Sequence, residues 1–87
     1  MISSEQIKAS RALIGWSAAE LAKRSSVGAT TLRRYEMIGG VPSANLSVLM
    51  KLKSTLEAAG IEFTGDPLVN PGVVLHLKRD TYIDPKV

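Results

Sequence analysis

The stretch from Ser17 to Met37 constrains this chain most, because it spells two helices with almost no connection between them. Ser17 and Glu20 have the spacing of a capping box, and Trp16 and Leu21 flank that start where a hydrophobic staple would fix the entry angle. The helix this opens, Ala18 to Ser25, buries Leu21 and Ala22 and gives way at Ser26 and Val27 to another over Ala29 to Met37. So short a connection makes the helices cross steeply and share Val27, Leu32 and Tyr35 as core.

The surrounding sequence supplies what such a pair needs for support. Ser3 and Gln6 form an earlier capping box, after which Ile7, Arg11 and Ile14 recur at helical spacing until Gly15 stops the run. Gly39, Gly40 and Pro42 mark a loop. Leu46, Leu49, Met50, Leu52 and Leu56 then give the apolar stripe of a fourth helix ending near Gly60. Beyond Gly60 the pattern changes to two strands, Ile61 to Thr64 and Val73 to Leu77, joined by a loop with Asp66, Pro67, Asn70, Pro71 and Gly72. The expected architecture is mainly α: residues 1–60 as a four-helix bundle, residues 61–87 as a short C-terminal β-hairpin or dimerising strand. There is no internal repeat.

Size and composition narrow the function. Eighty-seven residues build one small core with no room for both a substrate cavity and a lid. The absence of cysteine removes disulfides, thiolate nucleophiles and thiolate metal ligands. No apolar run reaches membrane-spanning length and Met1 to Ser10 lacks the regions of a signal peptide, so the expected location is the cytoplasm. Charge is uneven: residues 1–60 hold eight Lys and Arg against four Glu, whereas residues 61–87 hold three basic and four acidic residues. The helical part is therefore the one that attracts polyanions.

Residues 3–59, above all Leu21, Ala22, Val27, Leu32, Tyr35 and the string Thr31-Leu32-Arg33-Arg34-Tyr35-Glu36, resemble the lambda-repressor-like or XRE type of helix-turn-helix regulator, the family of phage repressors and Cro proteins. The resemblance implies a lambda-repressor-like bundle that binds double-stranded DNA, with the helix from about 29 to 37 in the major groove, and a function as transcriptional regulator, most simply a repressor. It implies base readers at Ala29, Thr30 and Arg34 with Arg33 beside them. Arginine can donate paired hydrogen bonds to guanine, and threonine methyl or alanine can lie against the thymine methyl. It implies phosphate contacts from Ser17 and the free amides of Ala18 and Ala19, and from the loop carrying Gly40, Ser43 and Asn45. Lys23 and Arg24 would add only long-range attraction. It also implies a structural pair, Arg11 with Glu36, locking the first helix to the third.

Two positions depart from the family pattern. Ala18 stands where a glutamine often braces a base reader, which implies either lower specificity or more weight on DNA shape. Ser26 stands in the turn where glycine is common.

Several residues have plainer readings. Trp16 before a cap is a packing residue, His76 has no second histidine or cysteine with which to bind a metal, and Ser25 and Ser26 have no base beside them. No carboxylate pair, metal cluster or phosphate loop indicates an enzyme, and no cofactor or small-molecule substrate is expected. The run Val73 to Leu77 is too apolar to stand alone. It predicts either packing against the fourth helix or pairing with the same strand of a second chain, the homodimer being preferred. The competing function is a protein-interaction module of antitoxin or adaptor type whose C-terminal segment binds a partner.

Overall fold

The computed structural model describes residues 1–41 and 45–77. Four helices, α1 (Ser4–Ile14), α2 (Ala18–Ser25), α3 (Ala29–Ile38) and α4 (Leu46–Ala58), precede a hairpin of β1 (Ile61–Thr64) and β2 (Gly72–Leu75). The strands are antiparallel, with Ile61 opposite Leu75 and Thr64 opposite Gly72. The described residues thus form a small, mainly helical domain, and none of their helices is long and apolar enough to cross a membrane.

Local chemistry explains the boundaries. At the start of α1 the Ser3 hydroxyl accepts the Gln6 amide at 3.1 Å, and the Gln6 side-chain oxygen accepts the Ser3 amide at 2.9 Å. Gly15 ends α1 in the left-handed conformation, φ 72°. Ser17 caps α2 by accepting the Glu20 amide at 3.0 Å, but the reciprocal half of that capping box is not made. The Glu20 carboxylate turns one helical turn onward to Arg24 Nε at 2.5 Å, where it meets an opposite charge instead of a backbone amide. Ser26 takes φ 60°, so this serine does adopt the conformation that glycine would accept more easily.

The core joins Ile2, Ile7, Leu21, Ala22, Val27, Leu32, Tyr35, Leu49, Leu52, Leu56 and Ile61, all buried. Only part of the expected α4 stripe enters it: Leu46 and Met50 are each 57% exposed. Leu49, Leu52 and Leu56 suffice to fill the narrow side facing α2, and 46 and 50 lie one helical step off that line. Trp16 is half-buried, and the Arg24 guanidinium lies 4.5 Å from its ring centroid, a cation–π contact in addition to its packing role.

The hairpin has a cover within the chain. β1 lies against α4, β2 runs along α1, and Phe63, Val73 and Leu75 pack on the core. The second strand begins one residue earlier than its apolar run and ends at Leu75, although the His76 amide still donates to the Gly60 carbonyl at 2.7 Å. The attachment has a polar pin. The Gln6 side-chain nitrogen donates to the Thr64 carbonyl at 3.2 Å and the Gly72 carbonyl at 3.0 Å, so one side-chain amide caps α1 and clasps the two strands where they meet the connecting loop.

Two substitutions test this account. Gln6→Ala removes the cap and the clasp together and should cost about 2–3 kcal/mol in urea unfolding. Ser10 is fully buried and its hydroxyl has no hydrogen-bond partner among the described residues. Ser10→Ala should therefore leave stability unchanged or raise it by about 1 kcal/mol, since a desolvated, unpaired hydroxyl is removed.

Candidate nucleic-acid interface

The geometry of α3 follows from what it must bury. Leu32, Tyr35 and Glu36 face inward, which leaves Thr30, Arg33, Arg34 and Met37 on the outward side at helical spacing. Of the four expected base readers, Thr30, Arg33 and Arg34 lie together on this exposed stripe. Ala29 does not join them fully; it is half-buried and packs against the core, because the first turn of α3 sits close to the crossing with α2. Among the described residues neither Arg33 nor Arg34 has an ion-pair partner, so both guanidinium groups are available to a ligand. Met37, 84% exposed, was not singled out by the sequence reading. Its position three residues beyond Arg34 and seven beyond Thr30 was the signal that places it on the same line.

The stripe is held in place from behind. Arg11 on α1 meets Glu36 on α3 in a two-pronged contact, Nε to Oε2 and Nη2 to Oε1, both 2.7 Å, and its Nη1 donates to the Trp16 carbonyl at 3.0 Å. The side chains retain 20% and 9% of their exposure, so the pair is largely removed from water. The hydrogen bonds to Glu36 hold the Arg11 guanidinium still further into its charged form than its ordinary value. Such a pair fixes orientation more than it adds stability, because desolvation offsets much of the attraction.

At the start of α2, Ser17 is exposed and its hydroxyl is already used by Glu20, while the amides of Ala18 and Ala19 belong to the first turn, where no intrahelical acceptor exists. Asn45 caps α4, its side-chain oxygen accepting both the amide and the hydroxyl of Ser47 at 2.9 Å. Ser43 lies outside the described residues. Gly40 is placed beside α1, and its N–H donates to the Glu5 carboxylate. The backbone amide of Glu5 itself, and then that Gly40 contact, hold the Glu5 carboxyl below the ordinary carboxylate value. Its contribution to stability is therefore present at neutral pH and is lost as pH falls through that lowered value. Arg24 is committed to Glu20 and Trp16, which leaves Lys23 as an exposed cation at the end of α2 with no ion-pair partner among the described residues.

The other polar residues are accounted for by ordinary bonding. The Ser25 hydroxyl donates to the Leu21 carbonyl at 2.7 Å, and His76 pairs across the hairpin with Glu62 at 2.6 Å. Among the described residues no three His, Cys, Asp or Glu side chains gather to hold a metal. No protein-family model matches the chain, and no curated protein shows significant similarity to it.

The Arg11–Glu36 contact predicts a specific pattern. Glu36→Ala strands a desolvated guanidinium and should cost about 3 kcal/mol, whereas the double replacement Arg11→Met with Glu36→Leu should recover more than half of that. Thermal and urea unfolding of the three proteins measure it. Equal losses in the single and double variants would show that the pair holds the fold by attraction alone.

Proposed function

We propose that this chain is a sequence-specific, double-stranded DNA-binding transcriptional regulator of the lambda-repressor-like type, a repressor that acts by occupying its operator in the cytoplasm. The observation that carries this reading is the exposed line Thr30, Arg33, Arg34 and Met37 on α3, with two guanidinium groups that have no ion-pair partner among the described residues. A helix fits the major groove, and arginine in such a position can donate to O6 and N7 of guanine. Arg34 is the principal base reader, Thr30 and Arg33 its neighbours, and Met37 an apolar contact at the groove edge. The free amides at the start of α2 meet phosphate on one side, and Gly40 with Asn45 meets it on the other. The resemblance in residues 3–59 supports the same reading.

Two copies would bind paired half-sites. Among the described residues β2 has no strand on its outer side, and Val74 and Leu77 are exposed, so the same strand of a second chain can extend the sheet across a two-fold axis. That same open strand supports the rival reading, an adaptor or antitoxin-type module whose C-terminal segment adds a partner's strand.

Selection from a random duplex pool at physiological salt decides between them. The expected result is a palindrome whose guanine preference disappears in Arg34→Ala, with a loss of about 1–3 kcal/mol on the selected site and a shallower salt dependence. Failure to enrich any sequence would remove the DNA reading and leave the open β2 edge as the place to seek a protein partner.

A further inference from the structure

The first turn of α1 meets the end of α3 at Gly39 and Gly40. Both glycines have positive φ, 77° and 68°, a region that residues with side chains rarely enter. The turn directs the Gly40 N–H at α1, where Glu5 accepts it with Oε1 at 3.1 Å and Oε2 at 3.4 Å. A second bond fixes the backbone here: the Ser4 amide donates to the Gly40 carbonyl at 2.8 Å. A Cβ built on Gly39 would stand 3.7 Å from Glu5 Oε2, so the carboxylate rests against the glycine turn.

An anionic oxygen accepting a backbone N–H is the chemistry by which loops bind phosphate. Here the anion comes from the chain itself. Glu5 is exposed, and among the described residues its carboxylate otherwise meets only the hydroxyl of its neighbour Ser4, at 3.4 Å, so a rotation of its side chain frees the Gly40 amide at the loss of that one weak contact. The Ser4 bond to Gly40 involves backbone only and would survive that rotation. The turn follows α3 directly, three residues after Met37, and therefore lies at the end of the exposed line.

We infer that Glu5 is a built-in competitor for DNA: its carboxylate occupies the Gly40 amide in the free protein and must leave before a backbone phosphate oxygen can bind there. This rests on the DNA-binding reading above. The carboxylate lowers affinity for any duplex by blocking a donor and by placing a negative charge beside the phosphates. Phosphate contacts dominate binding to arbitrary sequence, so this charge keeps weak sites empty and leaves base contacts to hold the protein at its operator.

The test uses the full chain and three variants. Glu5→Ala empties the site, Glu5→Gln keeps a neutral acceptor in place, and Glu57→Gln makes the same charge change on α4. On a random duplex at low salt, Glu5→Ala should bind about three- to tenfold more tightly than the unaltered protein, with Glu5→Gln between them and Glu57→Gln within about twofold. In a parallel titration with inorganic phosphate followed by amide NMR, the Gly40 signal should shift saturably in Glu5→Ala and stay fixed in the unaltered chain. Unchanged or weaker DNA binding by both Glu5 variants, with the unaltered protein binding normally, would overturn this inference alone. No duplex binding by any of the four proteins would remove the DNA-binding reading and this inference with it.

Discussion

The contact between Arg11 and Glu36 is the constraint on which the arrangement of the helices depends. It joins the last turn of α1 to the last turn of α3, and the third arginine donor reaches the Trp16 carbonyl in the link to α2. Three elements are thereby referred to one planar group. A guanidinium has a fixed fork of donors, so the contact tolerates little rotation of α3 about its own axis. Helical period puts Thr30, Arg33 and Arg34 on one line, and that angle decides that the line faces solvent. The apolar core beneath would accept small rotations at modest cost, because Leu32 and Tyr35 make non-directional contacts.

Much of this was legible in the residues, for a definable reason. Caps, helix spacing and glycine stops are local signals, and α1, α2 and the hairpin strands follow them closely. The Arg11–Glu36 pairing is not local, and it was reached only through the resemblance that residues 3–59 carry. Elsewhere competition between local partners was hidden. Glu20 has the spacing to complete a capping box and also the spacing to reach Arg24, and the opposite charge prevails on an exposed helix face. The α4 stripe overstated burial at Leu46 and Met50, because the sequence shows which residues are apolar but not how wide a neighbour they meet.

The candidate interface divides in the same way. Outward positions on α3 follow from helical period once the buried ones are known, and Met37 belongs to that series. Ala29 looks equally outward by its place at the helix start, yet it packs inward because the α2–α3 crossing is tight. The engagement of Gly40 by Glu5 joins positions 35 residues apart, and no spacing rule announces it.

Gln6 binds carbonyls 58 and 66 residues further along the chain, so the protein is tied into a ring by a non-covalent clasp. Closing so long a loop is entropically expensive, and its return comes only when the hairpin is already in register. The α2–α3 pair is built from contacts close in sequence, whereas the start of α1 and the hairpin each complete the other's polar bonding. The two segments that this clasp holds together are drawn from nearly opposite ends of the described chain, so loosening either one loosens the other.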